Sequence, residues 1–180
     1  MKKLFVPLLL ILSLLLGGCT NKNEARFRAF SEELRARNDA VLTAQVRAEY
    51  DDQSCSFTLR CAEDGSGGCT VEVIEPELIR GVRAHMSADG TRLLYDSVCV
   101  DTGEGGSSLS PMGALPLLLG ALREGALDSV WKEDGCLAVR LVPEDDIGVT
   151  VLFDADMRPD WAEIDRAGKT LFFIDVTEFT

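Results

Sequence analysis

The stretch SPMGALPLLLGALREG, residues 110–125, decides how the rest of the chain is read. Ser110 is a good N-cap and Pro111 suits the first helical position, where no backbone N–H is needed. Leu115, Leu117, Leu118, Leu119 and Leu122 then make the segment apolar nearly all round. A helix of that kind must be buried. It is too short to span a bilayer, which takes roughly 20 apolar residues, and it contains Pro116 and Gly120. On both sides the hydrophobic period changes from helical to two, so the surroundings that bury this helix are strands. The segment therefore reads as a helix lying in the concave face of a sheet.

Working outward, AVLTAQVRAEY (40–50), CSFTLRC (55–61) and CTVEVI (69–74) alternate apolar and polar residues. They are separated by the turn-rich stretches DDQ and EDGSGG. RGVRAHMS and TRLLYDSVCV flank ADG as a further hairpin, which makes a meander of about five strands. DTGEGGSSLS (101–110) is a Gly/Ser loop leading into the leucine-rich helix. Beyond Gly125, LDSVWKEDG, CLAVRLVPE, IGVTVLFDAD, WAEIDRAG and KTLFFIDVTEF give about five more strands. Ahead of the first strand, EARFRAFSEELRARN places Phe27, Phe30 and Leu34 on one stripe and predicts a helix over about 24–38. Its aromatic stripe reads as a docking face onto the sheet. The expected fold is α+β: one strongly curved antiparallel sheet of about ten strands, a half-barrel with two helices.

The N-terminus carries a separate signal. Lys2 and Lys3 precede LFVPLLLILSLLL, residues 4–16, which is shorter than a spanning helix and matches a secretion signal. Leu16-Gly17-Gly18-Cys19 resembles a bacterial lipobox. That resemblance implies cleavage before Cys19 and a thioether-linked diacylglyceryl group on its sulfur. Two acyl chains anchor stably where one is marginal. The expected organisation is a signal peptide over 1–18, a lipidated tether over 19–23 and one domain over 24–180. The protein would sit on the extracytoplasmic face of the cell membrane.

Composition narrows the partners. The chain has 30 acidic against 18 basic residues, a formal charge of −12. That excludes nucleic acid, whose binding displaces counterions with cationic surface. It also opposes electrostatic docking on anionic lipid, so the tether has to be covalent. Five cysteines follow Cys19: Cys55, Cys61, Cys69, Cys99 and Cys136. If a hairpin centres near Gly65, Cys61 and Cys69 face each other and a cross-strand disulfide can form; Cys99 with Cys136 is a second pairing. Buried free thiols acting as small apolar residues fit the sequence equally well. The cysteines are scattered and the chain has one histidine, so no metal site is expected.

No catalytic residues are assigned. There is no G-x-S-x-G motif, and His85 sits in a strand as an ordinary residue. DADMRPD lacks the glycine and terminal glutamate of a calcium loop. GEGGSS lacks the lysine of a nucleotide loop.

The order of elements, with a P-x-x-x-x-G element at Pro76–Gly81 and the ADGTRLLYDS hairpin, resembles the LolA/LolB-like lipoprotein-carrier superfamily. VEVIEPELIRGVRAHMSADGTRLLYDS, LPLLLGALREGAL and RPDWAEIDRAGKTLFFIDVTEF are most similar to the clostridial GerS-like spore germination lipoproteins. That resemblance implies a half-barrel without cofactor. It implies a non-catalytic module that docks a protein partner and supports a cell-wall (cortex) amidase in sporulation or germination. The alternative is a carrier or sensor holding a lipid or acyl chain in the concave face. A docking module predicts that Leu115, Leu118, Leu119 and Leu122 fill the cavity as core. A carrier predicts a helix that moves, with Gly120 and the GEGGSS loop as hinges.

Overall fold

The computed structural model describes residues 22–50, 53–96, 98–103 and 109–180. The signal segment, Cys19 and residues 104–108 of the GEGGSS loop lie outside the described residues.

Helix α1 (Lys22–Arg35) opens the described chain. It starts two residues before the expected position, inside the assigned tether, and ends three residues sooner. The strands are β1 (Val41–Tyr50), β2 (Gln53–Glu63), β3 (Cys69–Glu75), β4 (Arg83–Ser87), β5 (Gly90–Tyr95) and β6 (Val98–Gly103). Helix α2 (Ala114–Glu124) follows. The chain then closes with β7 (Ala126–Glu133), β8 (Cys136–Glu144), β9 (Ile147–Phe153), β10 (Pro159–Arg166) and β11 (Lys169–Phe179). TRLLYDSVCV, expected as one strand, is broken at Asp96, where φ is +53°. It gives β5 and β6, so the sheet has 11 strands.

All 11 form one open antiparallel sheet in the order β6-β5-β4-β3-β2-β1-β11-β10-β9-β8-β7. The first and last strands pair in its middle, and the two edges, β6 and β7, come from the middle of the sequence. This topology explains why α2 must be buried. It is part of the connection from one edge to the other, so it crosses the concave face. There it contacts β1, β2, β3, β8 and β10 from both halves of the sheet.

The concave residues form lateral rows. One row runs Val46–Ile174–Ala162–Val151–Val139, and each is completely buried. A second runs the other way, Leu42–Cys61–Val71–Ala84–Leu93–Val100. Its first four members are completely buried, Leu93 is half-buried, and Val100 is 52% exposed. Helix α1 closes one end of the barrel as its aromatic stripe predicts. Phe27 and Phe30 meet Phe153 at 6.0 and 5.1 Å between ring centres, and Phe30 meets Phe179 at 6.0 Å. These separations suit edge-on aromatic packing.

Candidate functional site: a filled concave face

Helix α2 begins as the sequence suggests. The Ser110 hydroxyl accepts the Gly113 N–H at 3.2 Å, and a short 3-10 turn at Pro111–Gly113 runs into the helix. Pro116 falls in the first turn, where a missing N–H breaks no helical bond. Leu115, Leu118 and Leu122 are completely buried, and Leu119 nearly so. Gly120 lies on the exposed stripe, and a side-chain carbon there would meet nothing. Gly125 is needed for packing: an added Cβ would come within 2.6 Å of the Ala121 carbonyl.

The C-terminal end of α2 is held by a clasp. Arg123 donates through Nη1 and Nη2 to Glu63 at 2.6 and 2.9 Å, a two-pronged ion pair. Both side chains are shielded, at 16% and 12% exposure. Arg123 also donates to the carbonyls of Leu34 and Arg37, each at 3.1 Å. In return its own carbonyl accepts from Ser31 Oγ at 3.0 Å and from Arg35 Nη2 at 2.6 Å. Each helix thus satisfies carbonyls at the other's C-terminus, which would otherwise be orphaned. Glu63 further accepts the Ala40 N–H at 3.0 Å. Burial alone would raise the Glu63 carboxyl. The bonds from Arg123 and Ala40, with the Arg123 and Arg37 charges, outweigh it and hold the group below the ordinary glutamate range. The bond to Glu63 and its charge also push Arg123 up, so the pair stays ionised.

Cys61 and Cys69 are brought together on the concave face, but not directly opposite. Cys61 faces Val71 and Cys69 faces Glu63, so the two cysteines are diagonal neighbours. No disulfide joins them in this structure. Donation to the Cys69 sulfur, and then burial, pushes the Cys61 thiol well up. Cys99 and Cys136 are exposed free thiols near opposite edges of the sheet. His85 is half-buried on the outer face and lies 3.3 Å from Thr70 Oγ1. In DADMRPD, Asp154 accepts the N–H groups of Asp156 and Arg158 at 2.9 and 2.8 Å, so it shapes a turn.

Clefts border the filled face. One of about 500 Å³ lies beside α1, with Phe30, Leu34, Met157 and Phe179 below and Arg26, Arg37 and Arg158 around it. A smaller one of about 270 Å³ lies over the outer stripe of α2, against Pro116, Leu119, Gly120 and the Glu63–Arg123 pair. The clasp itself is what sequence reasoning missed. Arg123 and Glu63 are 60 residues apart, and each reads as an ordinary charge at an element's end.

An open, strongly curved antiparallel sheet with a helix in its concave face is the LolA-like fold, and this chain has it. A LolA-superfamily protein of Nitrosomonas europaea matches with a TM-score of 0.51 at 12% identity, over 87% of this chain and 92% of that one. GerS is a structural neighbour as well. The solved complex of the CwlD amidase with the GerS lipoprotein, from Clostridioides difficile, matches with a TM-score of 0.50 at 17% identity. That match covers 92% of this chain and 99% of the other. No protein-family model and no curated protein matches the sequence.

Proposed function

We propose that this protein is a non-catalytic docking module, held on the outer face of the membrane by a diacylglyceryl group on Cys19 and engaging a protein partner. The observation that carries this reading is the helix that fills the centre of the concave face. Leu115, Leu118 and Leu122 occupy the space a cargo chain would take, and the Glu63–Arg123 clasp fastens the helix there. A gate would need a weakly held element. The GerS neighbour, solved with an amidase, supports an amidase as the partner class. The cell-wall substrate and the role in sporulation or germination are part of this proposal and come from the sequence resemblance. In this reading residues 1–18 are the signal peptide, and nothing in the domain performs chemistry.

The test uses the full chain, purified in detergent and mixed with the cell-wall amidase of the same cells. Native mass spectrometry should show a stoichiometric protein complex. A few-hundred-dalton adduct that leaves on denaturation, with no protein complex, would contradict the reading and favour the acyl carrier. For the anchor, Cys19→Ala should release the chain from the membrane fraction. An unchanged mass and unchanged fractionation would refute lipidation.

A further inference from the structure

The outer face of the second half-sheet holds both tryptophans of the chain. They lie in one lateral row, Trp131–Ala138–Leu152–Trp161–Asp175, which crosses β7, β8, β9, β10 and β11. At the spacing of paired strands the two indoles are about 14 Å apart. Leu152 lies between them, and Phe173 packs against Trp161 at 6.2 Å. Both indoles are half-buried, and among the described residues no helix packs on this face of the sheet. Tryptophan is enriched among the residues that carry most binding energy, because it offers a large contact area on two side-chain torsions.

Charge selects the occupant. A groove of about 580 Å³ runs along this row, lined by Glu133, Asp160, Glu163 and Asp175 and by no cation. Glu133 accepts the Trp131 indole N–H at 3.2 Å, and Glu163 accepts the Thr170 hydroxyl. The carboxylates of Asp160 and Asp175 meet no hydrogen-bond or ion-pair partner among the described residues. The neighbouring arginines are engaged elsewhere. Arg47 lies 4.4 Å over the Phe173 ring and pairs with Glu49 at 2.9 Å. Arg140 pairs with Asp165 at 2.8 Å. Arg47 on Phe173 also shows how a guanidinium seats on this surface.

We infer that this aromatic and acidic outer face is the docking surface for a basic, extended segment of a partner protein, its lysines or arginines meeting Asp160, Glu163 and Asp175 and its apolar residues covering Trp161 and Leu152. The inference rests on the docking-module reading and names the face and the partner chemistry. An anionic bilayer would be repelled by the same carboxylates.

The test exploits the indoles, since all tryptophan fluorescence of the protein comes from this face. The full chain in detergent is titrated with an alternating lysine–valine nonapeptide and with its glutamate–valine counterpart. The lysine peptide should shift the emission saturably, and binding should weaken about five-fold in the double variant Asp160→Asn/Asp175→Asn. Both carboxylates lack partners, so this variant should keep its fold, which its melting temperature checks. Absence of a saturable shift, an equal shift with the glutamate peptide, or an unchanged affinity in the variant would overturn the inference. So would an emission shift on phosphatidylcholine vesicles alone, which would assign the face to a bilayer. The amidase experiment separates the two claims. An amidase complex that forms equally well with the double variant defeats this inference and leaves the module reading standing. Peptide binding as expected with no amidase complex defeats the module reading alone.

Discussion

The two arms of the sheet share a residue pattern and differ in what covers them. On the β8–β11 side the concave row from Val46 to Val139 is completely buried. On the β4–β6 side the row begins as deeply at Leu42 but ends on Val100 at 52% exposure, with Tyr95 at 52% and Val98 at 62% on the same face. The alternation of apolar and polar residues is as regular in one arm as in the other. The difference is α2, which packs on β1, β2, β3, β8 and β10, whereas β5 and β6 keep exposed apolar residues among the described residues. Apolar alternation therefore reports which face points inward, whereas burial depends on a helix placed by topology and by a long-range ion pair.

This contrast predicts a graded set of mutational effects. Leu118→Ala should destabilise the most, by about 3 kcal/mol, because a completely buried leucine leaves a cavity that rigid strands cannot close. Chemical denaturation would read this as a lower midpoint at unchanged slope. A loss below about 1 kcal/mol would mean that α2 is not core. Arg123→Ala should cost nearly as much, about 3 kcal/mol, because it strands the shielded Glu63 carboxylate and uncaps α1.

Acid should act on the same clasp. The Glu63 pKa is depressed in the folded state, so its contribution is complete above the unfolded value of about 4.3 and is lost as pH falls through the lower folded value. Melting temperatures of Glu63→Gln should therefore fall less steeply with acidification in that window than those of the parent. A parallel fall would exclude the clasp as the acid-sensitive element. Smallest of all, Val98→Ala on the uncovered arm should change stability by no more than about 0.5 kcal/mol. A larger loss would show that something covers that arm in solution.

Much of this fold was legible from local signals. Ser110 and Pro111 marked the start of the buried helix, and the period-two runs marked the strands. The phenylalanine stripe of α1 marked a docking face. The break at Asp96 was not legible, because TRLLYDSVCV keeps an unbroken β-like composition across it. The offset of Cys61 from Cys69 depends on how the hairpin between them closes, and spacing alone does not fix it. The clasp and the shared row of Trp131 and Trp161 depend on which strands become neighbours, which the sequence does not state locally.

Hydrogen exchange of α2 tests the central claim most directly. If the helix is core, amides of Leu117–Glu124 should exchange through global unfolding alone, as slowly as those of β9 and β10. Adding long-chain fatty acid should leave their rates unchanged. If those amides exchange as fast as β5 and β6, or if fatty acid alters their rates, α2 is a gate and the concave face is a cargo site.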